Sequence, residues 1–259
     1  MSQLDLLHAA GAFGAAFLAG AINSVAGGGT LVTFPTLIWL GLAPVTANAT
    51  STVAIWPGSV GSMFGYRREL KSTPLRMLAL VIPSLAGGLL GALLLKWTPP
   101  AFFDRLVPFL VLFATVLFLL QQPLQRRFAP DQGVAHESRR WLAGAAIFQF
   151  LVGLYGGYFG AGIGILMLAA LGILGFTDIH QMNGLKNFFG MCINGVAALY
   201  FIWARMVHWP YVLLMAIGAV AGGIGGSGAA RRLGRPTVRR AVIAIGFVMT
   251  ATLFWKLRA

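Results

Sequence analysis

Three consecutive glycines interrupt a run apolar enough to cross a membrane: Asn23-Ser24-Val-Ala-Gly27-Gly28-Gly29-Thr30 lies inside the stretch from Leu6 to Leu40. Each glycine costs a helix interior about 1 kcal/mol relative to alanine, so the helix is expected to break here. In hydrocarbon, a broken backbone must find its hydrogen-bond partners within the protein or in a cavity that the protein encloses. The same grammar returns 133 positions on, from Asn23 to Gly156, as Gly156-Gly-Tyr-Phe-Gly160-Ala-Gly162-Ile-Gly164, again between two apolar segments. Two broken helices at corresponding places in two halves point to the substrate site of a transporter built from repeats.

Composition puts the whole chain in the bilayer. Of its 259 residues 58% are hydrophobic and 10% charged, where a soluble domain carries about 25% charge. The net charge of +13 does not call for nucleic acid, because the basic residues fall between apolar runs, as topology determinants do. Cys192 is the single cysteine, and His8, His136, His180 and His208 are scattered, so neither a disulfide nor a metal or cofactor site is expected. Met1–Asp5 lacks the basic start of a signal peptide, and the first segment is expected to be retained.

Taken in order, the apolar segments form two series. Leu6–Ile22, the break and Leu31–Leu40 lead to spans at Val45–Tyr66, Met77–Leu95 and Phe102–Leu120. Trp141–Tyr155, the second break and Ile165–Leu174 lead to His180–Trp203, Tyr211–Ala230 and Val238–Trp255. Ala86-Gly-Gly88 aligns with Ala221-Gly-Gly223, and Gly91 with Gly226. The expected architecture is an all-α polytopic membrane protein of two inverted repeats, residues 1–122 and 141–259, joined by a basic cytoplasmic linker, 123–140. Each repeat is a glycine-broken helix pair plus three transmembrane helices.

Charge decides the hand of the repeat. If each broken pair makes an even number of crossings, thirteen Lys and Arg fall on the cytoplasmic side (Arg67, Arg68, Lys71, Arg76, Arg126, Arg127, Arg139, Arg140, Arg231, Arg232, Arg235, Arg239 and Arg240). Five (Lys96, Arg105, Arg205, Lys256 and Arg258) fall outside. If each pair crosses once, the split is eleven to seven. The positive-inside rule favours the first arrangement, which turns both termini away from the cytoplasm. Leu31–Leu40 is about 15 Å long as a helix against a core of about 30 Å, in keeping with a re-entrant or tilted hairpin.

A half-helix starting near Thr30 aims unpaired backbone amides at the break, which makes an anion site without a charged side chain. Asn23, Ser24 and Thr30 add polar groups, and Gly27, Gly28 and Gly29 let an oxyanion reach the backbone. Tight helix packing is the competing account of these glycines. In the second half, Lys186 in Asn183-Gly-Leu-Lys186-Asn187 is the one basic residue within a span. It is either a counter-charge for an anion or a side chain snorkelling about 10 Å to the interface. Its first-half counterpart is taken as Val53. Thr50 and Ser51 line the matching part of the first half, with bonding to a neighbouring carbonyl as the alternative. Asn194 and Gln149 are assigned to interhelical hydrogen bonds. All six carboxylates (Asp5, Glu69, Asp104, Asp131, Glu137 and Asp178) fall in loops or at segment ends, which leaves no intramembrane carboxylate for ion coupling. No nucleotide, zinc or nucleophile motif is present, so an enzyme is not expected.

Ala19-Gly-Ala-Ile-Asn23-Ser-Val-Ala-Gly-Gly-Gly29, Pro35 and Asn48-Ala-Thr-Ser51 resemble the first repeat of the sulfite exporter TauE/SafE family. Gly153-Leu-Tyr-Gly-Gly-Tyr-Phe-Gly-Ala-Gly162, Asn183-Gly-Leu-Lys-Asn187 and Asn194-Gly-Val-Ala-Ala-Leu-Tyr-Phe201 resemble the second. The resemblance runs from Leu6 to Trp255. It implies a multi-pass protein of the bacterial inner membrane that moves sulfite, sulfonates such as sulfoacetate, or related small anions. Export is the usual direction in the family, and uptake occurs. The expected partners are a small anionic substrate and the lipid bilayer. Binding is expected from Asn23, Ser24 and the amides of Gly27–Thr30 on one side and from Gly160–Gly164, Gly162 among them, opposite. Lys186 supplies charge, and Asn183 and Asn187 orient the ligand. An anion channel, or an importer of a carboxylate or sulfur anion, is the alternative function.

Overall fold

The computed structural model describes residues 3–25, 28–65, 75–127, 139–173, 176, 179–233 and 235–258. Among them there is no strand. Ten helices follow one another: α1 (Gln3–Val25), α2 (Thr30–Trp39), α3 (Pro44–Gly65), α4 (Val81–Trp97), α5 (Pro100–Arg127), α6 (Arg139–Tyr158), α7 (Ile163–Ile173), α8 (Ile179–Trp203), α9 (Trp209–Leu233) and α10 (Arg235–Arg258). A single turn, Leu75–Leu78, precedes α4. Among the described residues, α1, α5, α8 and α10 each contain a stretch long and apolar enough to cross a membrane. The two short helices are the halves that follow the glycine breaks. Ten residues in α2 and eleven in α7 make about 15–17 Å, half a bilayer core.

The halves are not separate bodies. The most extensive packing joins α1 to α9 and α4 to α6, and α3 with α9 and α4 with α8 are also closely packed. Exchanging the first five helices for the last five turns each of these pairs into the other. The exchange holds at the level of single atoms. A Cβ on Gly20 would meet the Ala219 carbonyl and the Gly223 amide, and one on Gly153 would meet the Ser84 carbonyl and the Gly88 amide. Likewise Gly222 lies on the Phe17 carbonyl and Gly87 on the Phe150 carbonyl. With no side chains between them, helices approach backbone to backbone and gain van der Waals contact that lipid cannot supply.

These contacts bear out the alignment of Ala86–Gly88 with Ala221–Gly223 and correct one counterpart nearer the break. Before α3 the counterparts are 133 positions apart, as Gly20 and Gly153 show; from α3 onward they are 135 apart, as Gly87 and Gly222 show. The starts of α3 and α8, Pro44 and Ile179, share the longer offset. So does the bond across the middle of the molecule, Trp56 Nε1 donating to the Met191 carbonyl at 3.2 Å. The counterpart of Lys186 is therefore Ser51 and not Val53, because two more residues separate the starts of α7 and α8 than separate those of α2 and α3. Val53 packs in the apolar core.

The stretch assigned to a linker, 123–140, is helical at both ends, since α5 continues to Arg127 and α6 starts at Arg139; residues 128–138 lie outside the described residues. The basic loop with Arg67, Arg68 and Lys71 lies outside them as well. α3 runs through Pro57 without interruption.

Candidate functional site

Both breaks open on one cavity of about 60 Å³, room for several waters at the ~10–15 Å³ that one water needs. Its wall comes from both halves: Asn23, Gly28 and Thr30 at the first break, Gly160, Ile163 and Gly164 at the second, Ile55 and Ser59 from α3, and Lys186, Asn187, Gly190, Met191 and Asn194 from α8. Three pairs of counterparts face it together, namely Thr30 with Ile163, Ile55 with Gly190, and Ser59 with Asn194. The cavity thus sits where the two halves exchange.

The first break is held from within the cavity. Gly28 takes φ +99°, a left-handed conformation that glycine adopts at little cost. Asn23 Oδ1 accepts the Gly29 N–H at 2.8 Å. Leu31 N–H then donates to the Gly28 carbonyl and Val32 N–H to the Gly29 carbonyl, which closes the first turn of α2. At the second break Gly160 and Gly162 have φ +77° and +80°. The Tyr155 hydroxyl donates to the Ala161 carbonyl at 2.7 Å, and Asn48 Nδ2 donates to the Tyr158 carbonyl at 2.9 Å. Phe34 meets Phe159 edge-on at 5.2 Å. The first amides of α7, on Ile163 and Gly164, find no backbone acceptor among the described residues, so the positive end of that helix faces the cavity.

Charge enters through one residue. Lys186 is 4% exposed and lines the cavity. Asp104 is the one carboxylate whose side chain lies among the described residues, and it is exposed on α5. At 4% exposure the ammonium is not held at a lipid–water boundary, which argues against snorkelling. Beside it, Asn187 Nδ2 is buried and meets no acceptor among the described residues. The cavity thus brings together a cation, an open amide donor and a helix N-terminus, a chemistry that complements an anion.

The other expected residues fall elsewhere. Thr50 Oγ1 accepts the His208 N–H at 3.0 Å, and Ser51 Oγ shares a 2.6 Å hydrogen bond with Thr33 Oγ1. Neither lines the cavity, nor do Gly29, Gly162 and Asn183. Gly29 has its amide taken by Asn23, and Gly162 shapes the turn. Gly27 lies outside the described residues, as does the side chain of Ser24. Sequence reasoning missed Ile55, Ser59, Gly190 and Met191 and gave Asn194 an interhelical hydrogen bond. The signal was present in helical spacing, since Lys186, Gly190 and Asn194 stand at i, i+4 and i+8 and so share one face.

Similar proteins carry transporter names. The chain is 28% identical over 243 residues to a probable membrane transporter protein of Haemophilus influenzae, covering 92% of this chain and 91% of that one. It is 29% identical over 247 residues to the probable membrane transporter protein YfcA of Escherichia coli K12, covering 94% and 88%. A probable membrane transporter protein of Sinorhizobium, ORF9, is 28% identical over 248 residues, with 93% and 90% covered. No solved structure matches the chain. Fold and relatives together define a multi-pass membrane transporter. The family model for the sulfite exporter TauE/SafE matches residues 12–253, and the chain belongs to that family.

Proposed function

We propose that this protein is a secondary transporter of small sulfur-containing anions, such as sulfite, sulfoacetate or related sulfonates, and that it exports them across the bacterial inner membrane. The observation that carries this reading is Lys186, a buried cation on a polar cavity shared by both halves. A lone buried charge is unfavourable by several kcal/mol, and a bound anion offsets that cost while Asn187 Nδ2 and the α7 amides donate to its oxygens. The swapped packing of the halves supports an inverted repeat, in which rocking one set of helices against the other exposes the cavity to each side in turn. Export of an anion needs no coupling ion, because a potential of about 100 mV, negative inside, favours exit by ~2.3 kcal/mol per charge.

The test is efflux of sulfite and sulfoacetate from proteoliposomes under an imposed potential, wild type beside Lys186→Ala. Voltage-dependent efflux that falls by about a hundredfold or more in the variant is expected, as for loss of a buried charge contact worth about 3 kcal/mol. Equal flux in the two proteins would remove Lys186 from the site. Saturable counterflow separates a carrier from a channel, which shows none.

A further inference from the structure

We propose that Gly190 is the size determinant of the cavity: its missing side chain makes the room in which the substrate sits beside Lys186. The inference rests on the anion-transport reading above and adds a specificity role to a residue that makes no polar contact.

Most glycines that matter in this fold have a backbone reason. Gly28, Gly160 and Gly162 need a positive φ, and Gly20, Gly87, Gly153 and Gly222 touch a neighbouring helix where a Cβ would collide. Gly190 has neither. It lies inside α8 with no left-handed backbone, and a Cβ placed on it meets nothing within 4 Å. Gly11, Gly61 and Gly144 also have open surroundings but lie exposed, and Gly14 and Gly223, open and partly exposed, do not line the cavity. Gly190 is only partly exposed and faces the cavity. A glycine weakens the middle of a helix relative to alanine, and here no turn and no close approach calls for it. What it supplies is empty space at the spot one helical turn from Lys186 and one from Asn194.

The wall opposite in the exchange of halves shows the alternative. The counterpart of Gly190 is Ile55, which also lines the cavity and is 5% exposed. One half fills this position with a branched side chain and the other leaves it bare. The cavity is thereby widened on the side that carries the ammonium, Asn187 and Asn194. A side chain at 190 would take volume from the anion without moving the backbone and without touching the charge. Such a residue sets which anions fit, while Lys186 sets that they are anions.

The experiment is a selectivity series in proteoliposomes. Efflux of sulfite, methanesulfonate, ethanesulfonate and propanesulfonate, all carrying an SO3 group, is compared in wild type, Gly190→Ala, Gly190→Val and Gly190→Val combined with Ile55→Ala. A single methylene is worth about tenfold or more in a fitted apolar pocket. The ratio of the longest transported sulfonate to sulfite should therefore fall by about tenfold in Gly190→Ala and further in Gly190→Val. Ile55→Ala should restore it in part, by returning volume from the other wall. A drop in all anions by one common factor, or a ratio that Ile55→Ala leaves unmoved, would overturn the size role. Failure of the underlying reading looks different: then wild type moves none of the four anions, or Lys186→Ala moves them as fast as wild type does. Gly190→Ala removes a helix-weakening residue, so loss of folding does not mask the result, and thermal melting of the purified variant verifies this.

Discussion

The two glycine breaks solve one problem with opposite means. At the first, the open group is a backbone donor, the Gly29 N–H, and Asn23 closes it from inside the cavity. At the second, the open groups are backbone acceptors, the Ala161 and Tyr158 carbonyls, and donors from Tyr155 and Asn48 close them. Tyr155 and Asn48 do not line the cavity. The counterpart of Asn23 is Gly156 and that of Tyr155 is Ile22, so neither of these two fastenings is repeated, whereas Asn48 has an asparagine as its counterpart, Asn183. The first break is thus fastened by a residue that also faces the site, whereas the second is fastened by residues behind it. Shape and recognition are coupled at one break and separate at the other.

The largest test of that difference is Asn23→Asp. The carboxylate keeps accepting the Gly29 N–H, so the break survives, but a negative charge now stands in the cavity of Lys186. Anion flux is expected to fall by about a hundredfold, since opposing like charge costs several kcal/mol, while the melting temperature stays near that of wild type. Flux close to wild type would mean that Asn23 only shapes the backbone.

The next test compares alanine at the two turns. Gly162→Ala incurs the left-handed backbone penalty of about 1–2 kcal/mol, and its new methyl meets Ala114 at an ordinary 3.7 Å. Gly28→Ala bears that penalty and also sets a Cβ 2.8 Å from the Phe118 ring. Overpacking of this kind adds about 1–3 kcal/mol, so Gly28→Ala should melt well below Gly162→Ala. Equal melting points would show that the Phe118 ring yields freely.

The smallest effect belongs to Tyr155→Phe. It strips one donor from the Ala161 carbonyl and should cost about 1 kcal/mol, visible as faster amide exchange at the start of α7. The selectivity among anions should not move. A change in selectivity would tie the second break to recognition after all.

Much of this was legible in the sequence, for identifiable reasons. Glycine in an apolar run has a local physical cost, so both breaks announced themselves, and a lysine inside a span did the same. What was hidden was rotation and register. Thr50 and Ser51 carry hydroxyls on the expected helix, yet His208 and Thr33 occupy them. The orientation of α3 about its axis depends on packing against α8 and α9, which no window of sequence contains. The Val53 assignment failed because two more residues separate the starts of α7 and α8 than those of α2 and α3, and the offset of the breaks was applied beyond them. Gly190 stayed invisible because a helical glycine with open space around it reads in sequence like any other packing glycine.

The exchanged packing has a consequence for how the chain is made. The Gly20 face of α1 closes on α9, which begins at Trp209, so α1 waits for a helix made much later. At a synthesis rate of about 5–20 residues per second that wait is on the order of 10–40 s. During that time the bare glycine ridge of α1 stands in the bilayer against lipid or a chaperoning insertase. Neither half is expected to mature alone, since each lacks the helix on which its own first helix packs. Two fragments cut in the stretch between Arg127 and Arg139 should therefore each be degraded when made singly and persist when made together.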